Sequence, residues 1–164
     1  MKRTVMKKAF FLCTLSTVLF LSCIPSWADA AASVGRIFEL NGKLRPGMTL
    51  EALSSLLGPS AEEHAAAGKD SGINRHLWLH GEMGIEVYFM KDIAHKVNIT
   101  LPLKSEKDAL KALDAFTRQG QARYGSMPRF DSSTGEYYWI AEGVRFGYSK
   151  YNSNTVRSSC TRMQ

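Results

Sequence analysis

The stretch HLWLHGEMGIEVYFM, residues 76–90, decides the fold class. Leu77 and Leu79 alternate with His76, Trp78 and His80, and a turn containing Gly81 and Gly84 follows. Beyond it Ile85, Val87 and Phe89 alternate with Glu86, Tyr88 and Met90. A period of two on both sides of a glycine turn describes an antiparallel hairpin. A second turn near Lys91 and Asp92 leads to Val97, Ile99 and Leu101, alternating with Lys96, Asn98 and Thr100. The result is a three-strand meander with one apolar and one polar side.

Upstream of the meander, Leu50, Leu53, Leu56 and Leu57 fall on one helical face. Thr49 is placed to cap that helix, Glu51 suits its first turn, and Gly58-Pro59 ends it. Residues 61–67 read as a short helical turn and 68–74 as loop. Downstream the order recurs. Ser105 and Asp108 open a longer helix with Leu110, Leu113 and Phe116 on its apolar side, and Gly125 closes it. Strand-like runs follow at 136–141, 144–150 and 155–163, with turns at Glu142-Gly143 and at 151–154.

A shift of 59 superimposes Gly84 on Gly143, Ile85 on Val144, Val87 on Phe146, Phe89 on Tyr148 and Val97 on Val156. A shift of 60 places Leu50, Leu53 and Leu56 on Leu110, Leu113 and Phe116. The expected fold is therefore α+β: a tandem duplication of a helix plus a three-stranded antiparallel meander, with helices packed on one face of the sheet. The units are residues 44–103 and 104–164. The shift also sets Cys160 on Leu101, which directs the thiol to the core.

The N-terminus reads as a signal peptide over residues 1–30. Lys2, Arg3, Lys7 and Lys8 precede an uncharged apolar run at 10–24, and Ala28-Asp29-Ala30 supplies a small-x-small cleavage site. The run is shorter than the ~20 residues a spanning helix needs, which disfavours a retained anchor. Phe20-Leu21-Ser22-Cys23 resembles a lipobox, the minority alternative, and membrane association is expected only if Cys23 is lipidated. Residues 31–43 read as a flexible leader. Without residues 1–30 the chain has 17 basic and 14 acidic residues instead of 21 and 15, a formal charge of +3 instead of +6. No basic run survives, so no nucleic-acid partner is expected.

From Leu44-Arg45-Pro46-Gly47-Met48-Thr49 through Leu56-Leu57-Gly58-Pro59 the chain resembles the opening of the SmpA/OmlA (BamE-like) domain. The doubled arrangement is similar to the related tandem fold of beta-lactamase inhibitor proteins. The resemblance implies a non-enzymatic envelope protein that works by binding another protein.

The chemistry of the side chains agrees with binding rather than turnover. The chain lacks G-x-S-x-G, H-E-x-x-H, a P-loop and a dinucleotide fingerprint, and no cofactor is expected. Glu62, Glu63 and Glu82 stand as isolated acids, and Asp131 and Glu136 flank a polar loop. His76 and His80 are four apart, but on a strand that separates them by about 13 Å, too far to share one metal ion. With Leu77, Leu79, Ile85, Val87 and Phe89 towards the helices, Trp78, Tyr88 and Met90 share the opposite face with His76, His80 and Glu86. Arg145 joins them by the same alternation, with either Tyr137 and Trp139 or Tyr138 and Ile140. Trp, Tyr, Met and Arg are the residue types enriched in interface cores. The alternatives are that the leader, residues 68–74 or residues 127–134 fold over these rings, and that Trp139 points inward.

The expected function is a secreted or periplasmic protein-binding module, an inhibitor or an envelope assembly accessory. Trp78, Tyr88, Trp139 and Arg145 would contact another periplasmic or envelope protein, and His76 and His80 would tune the polar fit. The rival expectation is an exported small-ligand or metal-binding protein, or a hydrolase, using the His76/His80 region.

Overall fold

The computed structural model describes residues 26–65 and 73–163, so the apolar run and the lipobox-like segment lie outside the described residues. The chain is α+β. Helices α1 (Ser26–Lys43) and α2 (Leu50–Leu57) precede strands β1 (Glu62–Ala65), β2 (Ile73–His80), β3 (Met83–Met90) and β4 (Ile93–Pro102). Helix α3 (Glu106–Tyr124) then leads to β5 (Arg129–Asp131), β6 (Glu136–Ala141), β7 (Val144–Asn152) and β8 (Thr155–Arg162). All eight strands form one antiparallel sheet in the order β1-β2-β3-β4-β8-β7-β6-β5. The two meanders meet where β4 pairs with β8.

Local chemistry places the ends of these elements. The Thr49 hydroxyl accepts from the Ala52 N–H at 3.2 Å and starts α2, which Gly58 ends at φ 82°. Ser105 accepts from the Asp108 N–H at 3.2 Å and starts α3, and Gly125 ends it in the left-handed region. Lys91-Asp92 and Glu142-Gly143 all have positive φ, the geometry of tight hairpin turns.

Register fixes which side chains share a face. Trp78, Ile85 and Ile99 lie in one row, His76, Val87, Val97, Cys160, Phe146 and Trp139 in another. Tyr137, Tyr148 and Ser158 follow the same parity. Most of these side chains are buried in the core. Each helix touches this side: the Asn41 amide of α1 donates to Ser158 Oγ at 2.7 Å, the α2 cap Gly58 accepts from the Trp78 indole at 2.9 Å, and Phe116 of α3 stacks on Tyr148 at 5.2 Å.

Several expectations change. Residues 31–43 are not a loose leader: they form most of α1, with Val34, Ile37, Phe38 and Asn41 buried. Phe38 packs on Phe116 at 5.7 Å, and Gln119 donates to the Ala31 carbonyl at 2.9 Å. The segment around 61–67 is strand at 62–65, drawn into the sheet by pairing with β2 rather than left to its helix-forming residues. Each meander therefore has four strands, not three. The buried side of α3 is Ala109, Ala112, Phe116 and Gly120, whereas Leu110 is exposed. Small residues are selected there because α1 and Trp139 approach closely: a Cβ on Gly120 would lie 2.2 Å from Trp139 Cη2.

Cys160 is fully buried between Val97 and Phe146, and burial pushes its thiol pKa up to about 12. The thiolate that reacts is then scarce at pH 8. In the mature protein, which lacks Cys13 and Cys23, labelling of Cys160 by a thiol reagent is expected to proceed only at the rate of unfolding; burst labelling of that native protein contradicts this placement.

Candidate functional site

The face of the sheet opposite the helices carries the other parity of every strand. One row runs Leu77–Glu86–Asn98–Ser159–Gly147–Tyr138–Arg129, and its neighbour Arg75–Tyr88–Lys96–Thr161–Arg145–Ile140. The sequence pattern placed Tyr88 and Arg145 here, and the structure does so. Of the two pairings open for β6, Tyr138 and Ile140 are the pair on this face.

Four expected site residues lie elsewhere. Trp78 is 2% exposed and Trp139 4%, both towards the helices. The Trp78 indole is committed to Gly58, and the Trp139 indole donates to the Ser126 carbonyl at 2.8 Å. His76 is buried beside Trp78 and Phe89, with ring centroids at 5.8 and 5.1 Å, and its Nδ1 lies 3.3 Å from Ser60 Oγ. His80 shares that parity but sits exposed at the strand end, bordering a cavity with Arg36, Glu39 and Met83. Conversely Leu77 and Leu79 face away from the helices, and Leu79 is 71% exposed. β2 is apolar on both sides, so alternation alone assigns no side. The larger ring goes inward because a carbonyl waits for its N–H. Among the described residues no group of three or more His, Cys, Asp and Glu is arranged to hold a metal ion.

The helix-free face is ordered by two similar clusters. In the first, Glu86 receives Arg75 at 3.0 Å and the Asn98 amide at 3.2 Å. In the second, Glu136 receives Arg145 at 3.0 Å and the Ser159 hydroxyl. Arg145 also bridges to Asp131 at 2.9 Å, and its guanidinium lies 3.9 Å from the centre of the Tyr138 ring. The Glu136 carboxylate rests over Gly147, where a Cβ would fall 2.2 Å from its Cδ. That glycine is what lets the acid lie flat on the sheet. Arg157 stands 4.8 Å over the Tyr151 ring. The sequence singled out Arg145 and left Tyr138 as one of two alternatives on β6, but did not single out Arg75 or Arg157. Their parity with Arg145 and Tyr88 was the available signal, once β2 and β6 are set in phase.

Titration follows from these contacts. Burial raises the Tyr88 hydroxyl pKa and its hydrogen bond with Glu86 adds to the rise. Hydrogen bonding from Ser133, then from Arg145, holds Asp131 well below the usual carboxylate range. A depressed carboxylate stabilises the fold above its unfolded pKa of about 3.9 and loses that contribution as pH falls through its folded value. Asp131→Asn is therefore expected to lower Tm at pH 7 and to approach wild type as the solution is acidified below about pH 4. A Tm difference that stays constant with pH would show that the ion pair contributes nothing.

Charge on this face is unequal. Glu86, Glu136 and Asp131 are each tied to Arg75 or Arg145, and among the described residues Lys96 and Arg157 have no acidic partner. Exposed apolar groups border it, including Leu79, Met90 and Ile140. No helix among the described residues is long and apolar enough to cross a membrane.

No family model matches this chain, and no curated protein matches it. Among solved structures it is similar to a cysteine-rich secretory protein from Staphylococcus aureus subsp. aureus Mu50, at 9% sequence identity and a TM-score of 0.42. The match covers 71% of this chain and 43% of that one, so the chain spans less than half the length of the structure it matches.

Proposed function

We propose that this is an exported protein-binding module of the periplasm or cell envelope, an inhibitor or assembly accessory without catalytic activity, whose helix-free sheet face docks a partner protein with an acidic surface. The observation that carries this reading is the face itself. Eight strands present tyrosines, arginines and exposed aliphatic side chains on a side that no described helix covers, with Lys96 and Arg157 uncompensated. Rigid rings and pre-ordered guanidinium groups are the common anchors of interfaces, because little entropy is lost when they are buried. The docking residues are Tyr88, Tyr138, Arg145 and Arg157; Trp78, Trp139 and His76 hold the scaffold beneath them.

The tandem reading belongs to the same proposal. The seam pairs Val97 with Cys160, Ile99 with Ser158 and Leu101 with Val156. A shift of 59 relates Val97 to Val156, Ile99 to Ser158 and Leu101 to Cys160. Each strand thus meets its own counterpart about a pseudo-two-fold centred on Ile99 and Ser158, as two copies of one meander joined edge to edge would. This supports a duplicated fold of the beta-lactamase inhibitor type, with an SmpA/OmlA-like first unit. Cleavage after Ala30 takes the first turn of α1 with it, the buried Ala30 included, and leaves Val34, Ile37, Phe38 and Asn41 of its buried side in the mature chain.

The test is a crosslinked pull-down of the mature, tagged protein from its native envelope fraction, beside Tyr88→Ala with Arg157→Glu, and beside Arg36→Glu on α1. A protein captured by wild type and Arg36→Glu but lost from the folded face variant supports the reading. Equal capture by all three, or capture of nothing, retires it.

A further inference from the structure

We propose that the cleft beside the C-terminal half of β6 takes an acidic peptide in extended form, added as a strand alongside residues 139–141. β5 pairs with β6 only from Glu136 to Tyr138. Among the described residues, the main chain of Trp139, Ile140 and Ala141 therefore has β7 on one side and no strand on the other. A free strand edge is a template for another extended chain, since its N–H and C=O groups have no ladder partner. A cavity of about 420 Å³ opens along this edge.

The walls of the cavity choose the kind of peptide. Arg45, Arg123 and Arg129 line it against a single carboxylate, Glu142. Arg45 is steadied by the Gly42 carbonyl at 3.2 Å and by Glu142 at 3.3 Å, and Arg123 by the Phe38 carbonyl at 3.4 Å. Each guanidinium has five donors, so both keep N–H groups for a ligand carboxylate. The floor is apolar: Tyr124 packs at a tilt against Trp139, with ring centroids at 5.3 Å, and stacks on Phe146 at 5.4 Å. Side chains of an added strand alternate between the two faces. One set would meet this aromatic floor and wants apolar groups; carboxylates on the flanking residues would meet the arginines. A small anion would use the arginines but not the free edge, so the strand is the occupant that uses both. Tyr138 borders both this cleft and the docking face proposed above, but the inference does not rest on that face, because Arg45, Arg123 and Arg129 are not among its docking residues.

The test is selection of random displayed heptapeptides on the mature protein, followed by titration of the synthetic top sequence. Enriched peptides are expected to be acidic with apolar residues at alternate positions. Arg123→Gln or Arg129→Gln should each weaken the synthetic peptide by about 10- to 100-fold, the range of one charge-assisted hydrogen bond. N-methylation of its central amides should weaken it comparably, while Arg36→Gln, and Tyr88→Ala with Arg157→Glu, leave it unchanged. Thermal melts confirm that each variant is folded. Selection without acidic enrichment, affinity that survives both arginine variants, or indifference to N-methylation overturns the proposal. Inorganic phosphate binding as tightly as the peptide would show a small-anion site instead.

Discussion

Trp139→Ala is expected to lower the unfolding free energy by about 3–5 kcal/mol, the range for emptying a core site of a large aromatic ring. The ring is 4% exposed, packs at a tilt against Tyr124 at 5.3 Å, stacks on Tyr148 at 5.4 Å, and gives its N–H to Ser126. Gly120 sharpens the test. Alanine normally improves a helix interior over glycine by roughly 1 kcal/mol. Here its Cβ would sit 2.2, 2.5 and 2.7 Å from three Trp139 ring atoms, and a buried ring packed against Tyr124 and Tyr148 cannot step aside cheaply. Gly120→Ala should therefore cost about 2 kcal/mol in the wild type, within the usual range for overpacking. In the Trp139→Ala background the same change should stabilise by about 1 kcal/mol, its propensity gain alone. Denaturant melts of the four proteins read this change of sign. A Gly120→Ala that behaves alike in both backgrounds would mean that Trp139 does not lie on α3. The same logic makes Trp78 a scaffold residue, so loss of binding in a Trp78 variant says nothing about a contact.

How far the fold could be read follows the range of the interactions involved. Hairpins were legible because alternation and turn chemistry are local: Lys91-Asp92 and Glu142-Gly143 take the positive φ that tight turns need. Helix ends at Thr49, Gly58, Ser105 and Gly125 were legible for the same reason. The phase of β2 was not, since His76-Trp78 and Leu77-Leu79 are both credible inner rows. What decides it is a carbonyl at Gly58, twenty residues away in the chain. Helix α1 was hidden behind Gly35 and a run of alanines, and its polar anchor reads as surface until its partner is known. Asn41 meets Ser158 across 117 residues. That contact also explains why Ser158 stands opposite Ile99 in an otherwise apolar seam. Of the residues on the helix-free face, Tyr88 and Arg145 were legible because β3 and β7 have one clearly apolar side. Trp78 and Trp139 were misassigned because an indole serves a core and an interface equally well; only a fixed partner for its N–H separates the two.

Glu136→Ala is expected to cost about 2–3 kcal/mol, the price of leaving part-buried charge and hydroxyl groups without their acceptor. Glu136 is 14% exposed at its side chain and joins Arg145, Ser159 and the space above Gly147. Arg145 already has a buried Nε without a hydrogen-bond partner among the described residues, so losing one of its two carboxylates leaves it dependent on Asp131. Glu136→Gln keeps the shape and an acceptor for Ser159 but removes the charge, and should cost about 1 kcal/mol, as loss of charge assistance alone does. Removing both partners should cost less than the two single changes added together, because no unpaired charge is then left on the sheet. A coupling of about 1–2 kcal/mol between Glu136→Ala and Arg145→Ala is the expected size for residues in one network. Additive losses would mean that the cluster is an exposed ion pair of little consequence. Coupling would instead show that the arginines of this face are held in position before any partner arrives. That pre-ordering separates a docking surface from a set of solvated charges.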